Sequence, residues 1–396
     1  MASGREVVVV SGVRTAIGDY GGALKDVAPT ELAAHVIKEA TRRAKLDAKE
    51  INACVLGNVI HTEAKDMYFS RVAALKGGMS EDSTALTVNR LCGSGMQAIV
   101  SASQMILLGD ADSAVAGGAE SMSRGGYLMP SLRWGARMAD SQVVDMMVGA
   151  LTDPFDTVHM GITAENIASQ WKISREQQDE FSVESHRRAM NAIEKGYFKD
   201  QIAPFELKTR KGTQLFDRDE HPRGDASVEG MAKLRAVFKK DGSVTAGNAS
   251  GINDGGAAVV LMERSAAEKK GLKPMARLVS YGLAGVDPKI MGIGPVPACK
   301  KALEKAGLKV EQMDVIESNE AFAVQALAVS CDLKFDPKKT NPNGGAVGLG
   351  HPIGATGAVL TVKALYELQR TGGKHALVTM CIGGGQGIAA VFERLN

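Results

Sequence analysis

Apolar runs with strand character recur along the chain at residues 7–10 ("VVVV"), around Val55 and Val115, at 257–264 ("AAVVLMER"), around Val279 and Val315, and at 375–381 ("HALVTMC"). Most are separated by stretches with helical spacing, a pattern that predicts α/β layers with largely parallel strands buried on both faces. After Cys92, the side chains of Met96, Ile99, Val100, Ser103, Ile106 and Leu107 share one helical face, and Gly109 marks the stop. The same phrase returns late in the chain. "GLGHPIGATG" (348–357) precedes Val359, Val362, Leu365 and Leu368 at helical spacing, followed by the Gly372–Gly373 turn and a strand ending at Cys381. Two related α/β halves are expected, with their equivalent glycine-rich loops meeting at one site. Between them, residues 121–249 are richer in Met, Arg and charge, with a capping-box start at "SREQ" (174–177) and a basic turn at "LKTRKG" (207–212). This region reads as an inserted subdomain.

Composition narrows the classes of function. The 396 residues hold 44% apolar side chains, enough for a sizeable core, and 47 basic against 45 acidic residues leave a net charge of +2. That balance gives no case for a nucleic-acid binder or a membrane-surface protein. No run is read as approaching the roughly 18 apolar residues of a membrane span, so a soluble, cytoplasmic protein is expected. Five widely spread cysteines and seven scattered histidines form no C-x-x-C and no metal-ligand spacing, so neither disulfides nor a metal site is expected. The glycine-rich loops match neither a phosphate loop nor a dinucleotide fingerprint. Chemistry must then come from side chains and backbone.

Cys92 stands directly before Gly93-Ser94-Gly95 and a helix. On residue chemistry alone it stays open between a packed small hydrophobe and a displayed nucleophile, whose thiolate a helix start would favour. His351, set between Gly350 and Pro352, is expected in an exposed, rigid turn as a base for that thiol. Cys381 repeats the pattern of a thiol followed by glycines, whose N–H groups suit either a tight turn or an oxyanion. Asn319 in "SNEAFA" sits at a strand end and reads equally as a functional group or a helix cap.

Together, "NRLCGSGMQAI", "NEAFA", "NGGAVGLGHPIGATG" and "CIGGGQG", in this order, resemble the thiolase family. The likeness extends over the chain through "VVVVSGVRTAIG", "GGAESMS", "HMGITAENIA" and "VTAGNASGINDGGAA". It is most similar to biosynthetic acetyl-CoA acetyltransferases and the β-ketothiolases that supply polyhydroxyalkanoate synthesis. The resemblance implies a duplicated thiolase fold, five-layered α/β/α/β/α. Residues 1–120 and 250–272 would form the N-terminal half, 121–249 an inserted CoA-binding loop domain, and 273–396 the C-terminal half.

It also implies roles. Cys92 would carry the acyl group with His351 as its base, and Cys381 would take the α-proton of a second acetyl-CoA. His351 and a water held by Asn319 would stabilise the enolate, and the N–H groups of Cys92 and Gly383 the tetrahedral intermediate. CoA contacts would come from Leu151, His159, Met160, Arg223, Met231, Leu234, Phe238, Ala246, Ser250, Ala321 and Phe322. Acetyl-CoA, a short acyl-CoA, CoA and a 3-oxoacyl-CoA would be the reactants, with no resident cofactor. Residues 124–138 resemble the loop that joins dimers, which implies a homotetramer. Gly230, Ser318 and "VSCDLKFDP" (329–337) depart from the commoner family pattern, and Cys331 in that stretch matches no catalytic position. The nearest rival, a decarboxylating β-ketoacyl synthase, has no need of a second thiol, and Cys381 argues against it.

Overall fold

The computed structural model describes residues 4–210 and 212–395; Lys211 of the basic turn lies outside the described residues. Nine strands run through one mixed sheet: β1 (Val7–Arg14), β2 (Ala53–Gly57), β3 (Thr84–Val88), β4 (Ser113–Ser121), β5 (Asn253–Glu263), β6 (Ala276–Gly285), β7 (Val315–Ser318), β8 (His375–Ile382) and β9 (Gln386–Arg394). Their order is β7-β8-β9-β6-β1-β5-β4-β2-β3, and the short strand Gly18–Asp19 pairs beside β5. The order is a repeat in mirror sequence. In the first half β1, β5 and β4 are antiparallel neighbours and β2 joins β4 in parallel. In the second, β6, β9 and β8 are antiparallel neighbours and β7 joins β8 in parallel. The halves meet through a short antiparallel contact, Val8 with Arg277 and Val9 with Ala276.

The expectation of largely parallel strands is corrected by this arrangement. Each half places its first and last strands side by side, and β8 turns directly into β9 through Gly383–Gly385, so antiparallel pairs dominate. Burial on both faces holds: β1, β4 and β5 are buried throughout. β3 escaped notice as a strand because "TALTV" lies at the sheet edge, partly exposed and without an apolar run.

Helices α1 (Pro29–Ala44) and α2 (Phe69–Lys76) cover one side of the first half, and α4 (Pro295–Ala306) covers the second. Between the halves lie α3 (Ser94–Leu108) and α5 (Thr356–Thr371), packed on each other and on strands of both halves. The central helices thus lie between the two halves of the one sheet, with the other helices covering its outer faces. Gly109 and Gly372 end the central helices in left-handed conformations, as the sequence spacing required. The window 91–108 is long and apolar enough to cross a membrane by composition, contrary to the sequence reading, but here it is the core helix α3 wedged between the two halves of the sheet. The capping box forms at Ser174 and Gln177 and opens the helix Arg175–Glu194 of the insert.

Candidate active site

The two central helices bring the reactive residues together. A Cβ on Gly95 would stand 2.8 Å from the backbone N of Ala358, and one on Gly357 only 2.2 Å from that of Met96. Glycine at both positions therefore lets the helix starts touch, and Cys92 and His351 precede those starts. Immediately before the thiol, Leu91 adopts a left-handed φ of 45°. The Asn89 side-chain oxygen accepts the Leu91 N–H at 2.9 Å, while Ser94 Oγ accepts from Arg90 N–H at 2.8 Å and donates to the Leu91 carbonyl at 2.7 Å. A strained turn held by three bonds fixes the thiol's direction. Ser94 thus locks the turn.

Cys92 is half-buried within an apolar group formed by Met122, Ile353, Leu151 and Ile252. Burial pushes its thiol up to about 11, although the Gly383 and Cys92 N–H groups pull the other way. The expected thiolate at rest is corrected: loss of hydration outweighs the helix start.

His351 is buried, not exposed, because α5 and Asn253 close over its turn. Its backbone N–H donates to Asn253 Oδ1 at 2.9 Å. Its Nδ1 lies 2.7 Å from Thr356 Oγ1, which itself donates to the Pro352 carbonyl. With that hydroxyl proton committed, Nδ1 carries the imidazole proton and Nε2 keeps a lone pair. Burial lowers the imidazole to about 4, so it stands neutral as a base near pH 7.

Asn319 follows β7, and its Nδ2 lies 3.4 Å from His351 Nε2 while its buried Oδ1 has no partner. The next helix (Ala323–Leu333) begins with Phe322 at its cap, which removes the helix-cap reading of Asn319. Cys381, on β8 opposite Gly387, is buried, and burial with the nearby Cys92 raises its thiol well above the ordinary value. The following turn needs glycine, with φ of 81° at Gly384 and 83° at Gly385.

A cavity of about 410 Å³ opens on Cys92, His351 and Gly383. Leu151, His159, Met160, Phe238, Ala246, Ser250, Ala321 and Phe322 all line it. The His159 ring stacks on Phe238 at 4.4 Å, and Phe322 meets Phe238 edge-on at 6.3 Å. Arg223, Met231 and Leu234 do not line it. Met231 and Leu234 instead press on Gly247, beside Ala246, and exposed Arg223 gives its backbone N–H to His186. Neighbouring Met147 packs near Cys92 without lining the cavity, whereas Met291 and Met122 do line it and escaped the sequence reading. So did Asn253, whose only signal was an amide inside the apolar strand of "NDGGAAVV". Among the described residues no group of three or more His, Cys, Asp or Glu is placed to hold a metal ion.

Cys381 and Asn319 do not line the cavity; they lie behind it, next to Cys92 and His351 respectively. A thiol on a strained turn and a neutral imidazole at one apolar cavity, with a second thiol close to the first, define a thiol-based acyl-transfer centre. The chain belongs to the thiolase family: residues 7–265 match the thiolase N-terminal domain and 272–394 the thiolase C-terminal domain. Beta-ketothiolase BktB of Cupriavidus necator is 66% identical over 392 residues, covering 99% of this chain and all of the relative. The acetyl-CoA acetyltransferase of Escherichia coli is 48% identical over 394 residues, covering 99% of this chain and all of the relative. Among solved structures, human mitochondrial 3-ketoacyl-CoA thiolase in complex with CoA superposes with a TM-score of 0.97 at 44% identity, covering both chains in full. The Bacillus anthracis acetyl-CoA acetyltransferase gives 0.97 at 48% identity over 99% of each chain. The fold is the thiolase fold, and the protein is an enzyme.

Proposed function

We propose that this enzyme catalyses the reversible Claisen condensation of acetyl-CoA with a short acyl-CoA, and thiolysis of the 3-oxoacyl-CoA in reverse. The observation that carries the reading is the placement of Cys92 and neutral His351 on one cavity, with the Cys381 thiol buried close enough to Cys92 to feel its charge. The Cys92 proton passes to His351 Nε2 as the sulfur attacks the thioester carbonyl. The N–H groups of Cys92 and Gly383 donate to the oxyanion. On collapse the CoA thiolate leaves with the Cys381 proton, which makes Cys381 a thiolate. Acylation keeps Cys92 from ionising, and it is the Cys92 charge whose proximity would oppose ionisation of Cys381. Cys381 then takes the α-proton of acetyl-CoA, and the enolate, beside His351 and Asn319, attacks the acyl carbonyl. Cys92 leaves and recovers its proton from His351.

The cavity suits the pantetheine arm and acyl group, with the nucleotide end held outside it, towards Arg223. CoA thioesters are thus substrates, and no resident cofactor enters a step. The five free cysteines fit a reducing cytoplasm. A homotetramer is supported by the exposed apolar side chains of residues 124–138, among them Trp134 at 83% and Met138 at 92% exposure. A monomeric mass by light scattering at micromolar concentration would overturn it. CoA-dependent loss of acetoacetyl-CoA enolate absorbance, compared with Cys92→Ala and Cys381→Ala, tests the activity. A folded wild-type enzyme without turnover would withdraw the reading.

A further inference from the structure

Glu120 is fully buried near the end of β4, and no step above uses it. Its Oε1 accepts from Asn58 Nδ2 and the Ile60 N–H, both at 3.0 Å. Its Oε2 accepts from the Val59 N–H at 3.1 Å and the Gly354 N–H at 2.8 Å. Each oxygen therefore takes two donors. Three of the donors belong to the loop after β2 in the first half; the fourth belongs to the turn between His351 and α5 in the second. The fit around Gly354 is close. A Cβ there would lie 2.4 Å from Glu120 Oε2, and a Cβ on Gly118 would lie 2.2 Å from the Gly354 carbonyl.

We propose that Glu120 is a positioning residue for the condensation, clamping the His351 turn against the wall that carries Cys92. The assignment rests on the thiolase reading. Strand register supports it independently: Glu120 stands two residues beyond Gly118, the partner of Gly57, and Cys381 stands two beyond Thr379, the partner of Ser318. The position that supplies the second thiol in one half supplies the clamp in the other. Burial and nearby Asp66 raise the Glu120 carboxyl, but the N–H groups of Val59, Ile60 and Gly354 oppose them, and four donors on its two oxygens hold it as a carboxylate whose charge raises the Cys92 thiol.

Glu120→Gln preserves shape but turns one acceptor oxygen into a donor, so one pair of N–H groups loses its partner. The test measures kcat and KM, the folded fraction, and the pH profile of Cys92 alkylation by iodoacetamide in the substrate-free enzyme. We expect kcat to fall about 10- to 100-fold with KM held within about twofold, as a displaced reacting group would give. The alkylation midpoint moves to lower pH as the carboxylate charge is lost. Unchanged kcat overturns the proposal. So does a fall that tracks the loss of folded enzyme while alkylation in the folded fraction follows the wild-type profile. Should Glu120→Gln not fold, Asn58→Ser removes a single donor, and a folded Asn58→Ser enzyme with wild-type kcat and alkylation profile overturns it equally. The alkylation readout does not need turnover, so failure of the thiolase reading and failure of the clamp are separable.

Discussion

The two halves of the molecule share strand order and a central helix, yet they differ at the equivalent ends of their parallel strands. In the first half, Asn58 follows Gly57 and donates to the Glu120 carboxylate. In the second, Asn319 follows Ser318 and its amide reaches His351 Nε2, with Cys381 at the place of Glu120. Among the described residues neither asparagine's buried Oδ1 has a partner. At one end both oxygens of the Glu120 carboxylate are fully bonded and brace the loops, whereas the other end retains a lone pair and a thiol proton for chemistry. A duplicated fold can thus divide labour: a rigid half fixes geometry, and its copy does the proton transfer. The reacting thiol itself comes from the braced half, so the site exists only where both halves meet.

Breaking the reactive end should cost most. Cys92→Ala is expected to reduce turnover by at least about 10⁴-fold, with no acyl-enzyme visible by intact mass spectrometry. Cys381→Ala should lower condensation by about 10² to 10⁴-fold, yet still take up one acyl group from acetyl-CoA at Cys92. That residual acylation sharpens the split between the thiols; its absence would merge their roles.

Asn319→Ala should reduce kcat about 10²- to 10³-fold, the scale of one lost oxyanion donor, with little change in the melting curve. Its counterpart Asn58→Ala is expected to lose about 1–3 kcal/mol of stability in denaturant melts, because a buried carboxylate oxygen loses a donor. Equal stability losses at both positions would erase the contrast.

A subtler measurement is pH dependence. With Cys92 pushed up to about 11, the thiolate fraction of the resting enzyme stays small near pH 7, so alkylation should keep rising towards pH 11. With His351 lowered to about 4, the base stays neutral until the pH falls to that region, so the acidic limb attributable to its protonation should lie well below the ordinary imidazole range. A plateau in alkylation below pH 8 would contradict the buried neutral pair.

Much of this was legible along the chain. Apolar runs marked β1, β2, β4 to β8, and helical spacing with Gly109 and Gly372 marked the two central helices, because burial and left-handed stops leave local signatures. The thiolase-like blocks likewise identified Cys92, Asn319, His351 and Cys381. β3, β9 and the antiparallel pairing were not read: an edge strand needs no apolar run, the glycines of "CIGGGQG" drew attention from the strand that follows them, and strand direction is set by contacts distant in sequence. Glu120 and Asn253 passed unnoticed for a related reason, since a buried polar group shows its purpose only through donors far along the chain.

The sequence by itself determined which side chains are the candidates for the chemistry and that two similar units would present them, since residue identity and periodicity are properties of the chain. Only the tertiary structure decided their condition at rest. Charge depends on hydration and on surrounding dipoles, and packing two helix starts against each other withdrew water from Cys92 and His351. The thiol and imidazole are consequently neutral, with the proton poised to move when substrate arrives.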